Sequence, residues 1–140
     1  MEDLKEVLKK DHLRLISLLD NFLNTRDGNN LIIFINNAER HFEIENGHIY
    51  RLGNIPELKE VNLKILEDHK RFRSILKTVN NTELFDLDLS ALKEIREPLL
   101  LHNAFEDENF YPVLDKKLNT TDKNQLIEEI KDEMSFALSN

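Results

Sequence analysis

Two pairs of matching segments dominate this chain. KDHLRLISLL at residues 10–19 returns as EDHKRFRSIL at 67–76, with a histidine at the same point of each. HFEIE at 41–45 returns as HNAFE at 102–106. Apolar residues recur at helical spacing through all four segments. The chain is therefore predicted to form two similar helical hairpins, which dock as an up-down four-helix bundle with pseudo-twofold symmetry.

The spacing of apolar residues also predicts where the helices lie. The bundle helices are expected at about residues 3–24, 30–52, 57–79 and 90–118. Pro98 and Pro112 are expected to kink or break the last of them. A fifth helix at about 122–138 begins with Asp122 and Gln125 as a capping box, and its apolar stripe can cover an open bundle edge or meet a partner. The expected fold is all-α, in a single domain of residues 1–140 whose bundle spans about 3–118.

Composition excludes several classes of protein. The 140 residues contain no cysteine, which rules out disulfides, thiolate nucleophiles and cysteine-ligated zinc or iron–sulfur centres. A net charge of −8 with both signs interspersed argues against a nucleic-acid partner. The N-terminus lacks an apolar signal core, and no apolar run approaches the ~20 residues of a membrane span. We therefore expect a cytoplasmic protein with no membrane association.

Histidine and glutamate occupy helix faces that are otherwise apolar. Each hairpin has one histidine on its first helix and a His-x-x-x-Glu pair on its second, and residues four apart share a helix face. The six predicted metal ligands are His12, His41, Glu45, His69, His102 and Glu106. No lysine or arginine stands on the inward stripe nearby, and a buried carboxylate without a cation is costly. The pattern therefore predicts a metal site.

The number and type of these groups restrict the metal. Four imidazoles and two carboxylates suit a pair of transition ions, with iron and manganese the natural candidates. Magnesium and calcium prefer an all-oxygen shell. A single zinc ion would leave two or three of the six groups unused. A dinuclear site accounts for the set better.

The same six residues, with the FYPVL that follows Glu106, resemble the hemerythrin-like HHE cation-binding domain over essentially the whole chain. The resemblance implies a non-haem di-iron centre with an oxo or hydroxo bridge. Glu45 and Glu106 would bridge the two irons, and the four histidines would be terminal ligands. The implied functions include reversible O₂ binding, sensing of O₂, NO or redox state, iron handling, and repair of damaged iron centres.

The chain departs from the oxygen carriers that it resembles. Carriers have a second histidine where this chain has Arg73, and they use an aspartate as ligand where it has Asp107. The first hairpin has Asn46 at the place of Asp107, so the repeat favours Glu106 as the ligand. With four histidines instead of five, more coordination positions stay open. This difference favours NO, peroxide or redox chemistry over simple O₂ carriage.

Three classes of function are compatible with these residues. The first is binding or sensing of O₂ or NO. The second is an enzyme that turns over peroxide or NO, or an iron-centre repair protein, although repair proteins usually carry a cysteine-bearing N-terminal segment and this chain has no cysteine. The third is a regulatory module whose fifth helix changes with metal occupancy. A ferritin-like oxidase needs Glu-x-x-His on two helices; Glu45 and His48 supply it once, but Leu99 stands three residues before His102.

Further residues lie near the predicted centre. His48 is on the ligand stripe, one layer away from the predicted centre. Three roles are open for it: a fifth ligand, a hydrogen-bonding residue beside the open coordination position, or a residue at the end of the bundle. Asp11 and Asp68 point about 100° from the stripe, which favours a solvated or interhelical role over orientation of a ring nitrogen. Tyr50 and Tyr111 each follow a ligand histidine by nine residues and face nearly the opposite way, which favours packing over proton relay.

Overall fold

Six α-helices make up most of the described chain. The structure, a computed structural model, describes residues 3–49, 55–80 and 89–139, with side chains for 3–47, 55–79 and 92–134. The helices are α1 (Leu4–Thr25), α2 (Gly28–Ile44), α3 (Lys59–Asn80), α4 (Leu89–Asn109), α5 (Tyr111–Lys117) and α6 (Thr120–Ser139). A π-helical turn, Glu45–Ile49, continues α2, and a 3-10 turn, Pro56–Leu58, leads into α3. These three ranges contain no strand, and the all-α prediction is confirmed.

Two apolar clusters fill the bundle, one on each side of a polar layer. The upper cluster includes Leu15, Phe22, Phe34, Ala38, Phe72, Leu76 and Leu99, and the lower cluster includes Leu4, Leu8, Ile44, Ile65, Phe110, Leu114 and Ile130. Along α1 and α3 the chain passes from the lower cluster to the upper one, and along α2 and α4 it returns. The four helices therefore run up, down, up and down.

The two remaining helices close the outside of the bundle. α1 to α4 each contact the next, and α4 returns to α1, while α5 packs on α1 and α4. α6 lies on α2 and α1, where it buries Leu126, Ile127 and Ile130 in the lower cluster. The apolar stripe of α6 thus covers the bundle, which is one of the two roles expected for it. Within the described residues, no helix combines the length and the apolar character that crossing a membrane requires.

The predicted helix at 90–118 is divided in the structure. Pro98 lies inside α4 without ending it. The break falls at Phe110, and Pro112 takes the second position of α5, where a missing backbone N–H costs no helical hydrogen bond. The prediction of a break near Pro112 is confirmed, but the break falls two residues before the proline. As a result, Tyr111 does not face the way a continuous helix would turn it.

The predicted cap of the last helix was wrong by three residues. The side chain of Asn119 accepts a hydrogen bond from the backbone N–H of Asp122 at 2.8 Å, and its amide donates to the Asp122 carboxylate at 2.8 Å. Asn119 is therefore the capping residue and Asp122 its third-position partner. Gln125 instead donates to Glu129 one turn later.

The start of α1 is capped by a residue more than a hundred positions away. Asp3 stands at the N-cap but makes no capping bond with its side chain. Asp115 of α5 accepts hydrogen bonds from the backbone N–H groups of Leu4 at 2.9 Å and Lys5 at 3.3 Å. Lys123 of α6 contacts both acids, at 3.1 Å to Asp3 and 4.0 Å to Asp115. One carboxylate thus fastens α5 to the first turn of α1.

Replacement of Asp115 by alanine is expected to lower the free energy of unfolding by about 1 kcal/mol, the usual value of a helix cap. Urea denaturation of the wild-type and Asp115→Ala proteins measures the difference. Asp3→Ala is the matched control, since it removes only a half-exposed ion pair, worth at most about 0.5 kcal/mol. A larger loss in Asp3→Ala than in Asp115→Ala would contradict this assignment.

Candidate metal centre

The polar layer between the two clusters consists of the six side chains predicted as metal ligands. None of the six is more than 2% exposed. Their nitrogen and oxygen atoms form two groups within 4.8 Å, one with His12, His41, Glu45 and Glu106 and the other with Glu45, His69, His102 and Glu106. The two carboxylates belong to both groups. The structure therefore brings the predicted residues together as two adjacent four-residue sets.

Helix geometry places each carboxylate between two imidazoles. On α2, His41 Nε2 lies 2.9 Å from Glu45 Oε1, because residues four apart are neighbours on one face. The same atom of Glu45 lies 3.2 Å from His69 Nε2 on α3. On α4 and α1, Glu106 Oε1 lies 3.1 Å from both His102 Nε2 and His12 Nε2. Each carboxylate thus contacts a histidine of its own hairpin and one of the other hairpin.

The outer nitrogen of every imidazole has an acceptor on a neighbouring helix. The Nδ1 atoms of His41, His102, His12 and His69 lie respectively 2.5 Å from Asp11 Oδ2, 3.0 Å from Asp68 Oδ2, 3.1 Å from Asp107 Oδ1 and 3.2 Å from Asn46 Oδ1. An acceptor at Nδ1 keeps the proton there and turns Nε2 toward the centre. All four imidazoles are thereby oriented alike.

These contacts revise the interpretation of the aspartates. Asp11 and Asp68 have the interhelical role that was favoured, but they also orient a ring nitrogen, the alternative that was not favoured. Each aspartate has both roles because it contacts the histidine of the next helix and not the histidine that follows it in the sequence. Asn46 and Asp107 were missed as acceptors, although both directly follow a predicted ligand glutamate in the repeat.

Cations on the surface support two of these aspartates from outside. Arg14 contacts Asp11 at 3.5 Å. Asp68 accepts from Arg71 at 2.7 Å and from Lys64 at 3.4 Å. Burial alone raises the pKa of Asp68, but the hydrogen bond from His102 and the nearby positive charges outweigh it and lower the pKa. The acceptor behind His102 is therefore held as a carboxylate.

The carboxylates favour protonation of the histidines. Burial alone lowers the pKa of His12, but Asp107 and Glu106 outweigh it and raise the pKa from 6.5 to about 9. The same opposition of burial and nearby carboxylates raises the pKa of His41 well above its usual range and also raises that of His102. When no metal is bound, protons supply part of the positive charge that this layer requires.

Several inward-facing atoms nevertheless lack a hydrogen-bond partner. They are Nε2 of His12 and His41, Oε1 of Glu45 and both carboxylate oxygens of Glu106. Within the described residues, the only charged groups in contact with the two glutamates are histidines. Buried carboxylate oxygens without a hydrogen bond are strongly destabilising unless a cation lies beside them, and a bound metal ion would supply that charge.

The contact between His69 and His102 also indicates a site for a cation. His69 Nε2 and His102 Nε2 lie 3.1 Å apart, and the Nδ1 proton of each ring is directed at its own acceptor. Two nitrogen lone pairs at this distance repel unless a proton or a metal ion lies between them. Imidazole nitrogens and carboxylate oxygens are the donor set of iron, manganese and zinc sites. The residues present fit a bound metal.

Tyr111 has a role that the sequence analysis did not favour. Its side chain is fully buried, and its hydroxyl donates a short hydrogen bond to Glu45 Oε2. The packing-only interpretation assumed one continuous helix, and the break at Phe110 turns Tyr111 inward instead. The hydroxyl holds the oxygen of Glu45 that does not face His41.

The π-helical turn begins at Glu45. Such turns are rare and concentrate at functional sites. Because a π-helix has more residues per turn than an α-helix, the spacing used to place His48 one layer away does not apply. The side chain of His48 and all of Tyr50 lie outside the described residues.

Replacement of Asp68 by asparagine is expected to weaken metal binding at least about tenfold, because an amide accepts the His102 Nδ1 proton less strongly than a carboxylate. Competition with a chromogenic chelator measures the affinity. Glu67→Gln, an exposed neighbour with the same change of charge, is the control and should bind metal as the wild type does. Equal affinities in the two variants would argue against orientation by Asp68.

Metal binding is expected to release protons and to strengthen as the pH rises. An imidazolium cannot coordinate a metal, so between pH 6.5 and about 9, where His12 loses its proton, competition from protons declines. Calorimetric titration in two buffers of different ionisation heat counts the protons released. An affinity unchanged across this interval would contradict the protonation assigned to the metal-free centre.

Comparison with known families agrees with this geometry. The model of the family described as "Hemerythrin HHE cation binding domain" matches residues 3–114, a span that contains all six residues of the centre. No curated protein and no solved structure matches the chain.

Proposed function

The chain belongs to the hemerythrin HHE cation-binding domain family, and from this premise we propose that it holds two iron ions and binds or senses O₂ or NO, or takes part in redox or iron handling. In this proposal, Glu45 and Glu106 would be shared by the two ions, together with a solvent-derived oxo or hydroxo group. His12 and His41 complete one position, and His69 and His102 complete the other.

The observation that carries the proposal is the overlap of the two ligand sets. Each set contains two imidazoles of its own, and the two carboxylates are common to both. A single ion cannot use six groups arranged as two overlapping sets of four. Two ions of a metal that accepts mixed nitrogen and oxygen ligands can, and iron and manganese are the first candidates.

The protein would leave part of each coordination sphere to small molecules. Two imidazoles and two carboxylate oxygens provide four donors per ion, fewer than the six of an octahedral iron site. Bound iron would supply the reversible binding or reduction of a small ligand. The hydrogen bonds at Nδ1 hold the imidazoles in orientation.

Aromatic rings restrict access from the upper cluster. The Phe42 ring centre lies 4.6 Å from that of His69, and the Phe72 ring centre lies 5.4 Å from that of His102. The two phenyl rings are themselves stacked at 6.1 Å. Such an apolar wall covers the centre on this side and limits its contact with water, which is compatible with a small uncharged ligand such as a diatomic gas.

A di-iron enzyme acting on peroxide or NO is the second candidate. It is favoured by Tyr111, whose buried hydroxyl places an exchangeable proton on Glu45. Consumption of peroxide by the iron-loaded protein, together with its loss in Tyr111→Phe, would support this enzyme. A lasting O₂ or NO adduct without turnover would support the binding protein.

We expect about two irons per chain in protein produced with iron and exposed to air, with near-ultraviolet absorption from the bridged pair. His41→Ala and Glu106→Ala should reduce the iron content sharply, because each removes a ligand and Glu106 serves both sets. Metal analysis with optical spectra measures both. Glu108→Ala, an exposed glutamate on the same helix, should retain its iron. Two irons retained in Glu106→Ala would overturn the bridging assignment.

A further inference from the structure

One ligand histidine of the centre, His69, lines a cavity. Between the π-helical turn and α3 lies a space of about 490 Å³, lined by Asn46, Leu66, His69, Lys70 and Arg73. On the other side, the space beside His41 measures only about 10 Å³, which is room for one water molecule. A small molecule that comes from solvent therefore has room to approach the centre next to His69.

This cavity is cationic. Lys70 and Arg73 are exposed residues three apart on α3, and the described part of the chain offers neither a carboxylate partner. At the small space beside His41, by contrast, Arg14 donates to Asn37 at 2.8 Å and contacts Asp11 at 3.5 Å. Two positive charges at one opening, neither with a carboxylate partner among the residues that the structure describes, contrast with the net charge of −8 of the whole chain.

The charge of the groups that accept the Nδ1 hydrogen bonds also differs between the two halves of the centre. Three of the four Nδ1 atoms face carboxylates, and only His69 faces a neutral amide, that of Asn46. Asp107 is the counterpart of Asn46 in the repeat, so the half of the centre at the cavity has one negative charge fewer. An anion that approaches His69 from its Nδ1 side therefore meets an amide, whereas behind the other three histidines it would meet a carboxylate.

We propose that the cavity lined by Asn46, His69, Lys70 and Arg73 captures small inorganic anions and delivers them to the half of the centre held by His69 and His102. The inference rests on the proposed function, since it names the class of ligand that this centre receives. Azide and nitrite, each with three heavy atoms, represent that class.

The test compares azide with neutral NO as probes of the oxidised and reduced iron-loaded protein. Stopped-flow spectroscopy measures the rate of binding at low and high ionic strength. Lys70→Gln/Arg73→Gln removes the cavity charges, and Lys77→Gln/Lys93→Gln is the matched control, with the same loss of charge at exposed positions outside the cavity.

We expect the binding of azide to slow about tenfold in Lys70→Gln/Arg73→Gln at low ionic strength, as for a steered ligand, and to approach the wild-type rate at high salt. The control variant should stay close to the wild type, and the rate of NO binding should be the same in all three proteins. Equal azide rates in the two double variants would overturn the proposal. An equal slowing of azide and NO binding would also overturn it, because Lys70 and Arg73 would then affect the shape of the cavity and not its charge.

The iron content of each protein is measured first. This measurement distinguishes a failure of the proposed di-iron function from a failure of the anion-capture proposal. If the wild type holds no iron pair, the proposed function fails, and azide is titrated into the metal-free protein while backbone amide resonances are followed. Shifts confined to residues around the cavity, and lost in Lys70→Gln/Arg73→Gln, would support anion capture. Equal small shifts at lysines over the whole surface would overturn it.

Discussion

Everything in this structure depends on two glutamate side chains buried between four histidines. Glu45 and Glu106 lie at the middle of the bundle, fully shielded from water. A pair of negative charges in such a place requires positive charge close by. The nearby carboxylates raise the pKa values of His12 and His41, so protons supply part of this charge when no metal is bound. Because imidazolium and metal ion compete for the same Nε2 atoms, occupation of the centre is coupled to proton release and to the stability of the bundle.

The hydrogen bonds that orient the imidazoles also join the helices. Asp11 links α1 to α2, Asn46 links α2 to α3, Asp68 links α3 to α4, and Asp107 links α4 back to α1. Each neighbouring pair of bundle helices therefore has one such bond at the level of the centre. The register of the helices and the geometry of the centre are set by the same contacts, so a change in one of these acceptors disturbs both. This arrangement explains why a polar layer can divide the core without loosening it.

The pseudo-twofold repeat is broken where the proposed chemistry needs an approach from solvent. Asn46 replaces an aspartate, a cavity opens beside His69, and Lys70 and Arg73 stand at its mouth. The half with His12 and His41 has a carboxylate behind each ring. The half with His69 and His102 has one carboxylate and one amide, with the cavity beside His69. Under the proposed function, this difference favours the half with His69 and His102 as the one that receives the ligand.

The sequence by itself determined the helical bundle and the six residues that meet at its centre, because apolar periodicity and the His-x-x-x-Glu spacing are local properties of a helix. It also indicated that Asp11 and Asp68 act between helices. Which histidine each aspartate orients, the inward turn of Tyr111 and the cavity at Asn46 were decided only by the tertiary structure. These features depend on how helices far apart in the chain are placed side by side, and on a break at Phe110 that precedes the proline expected to cause it. Helical spacing predicts which way a side chain faces, but only packing shows what lies opposite.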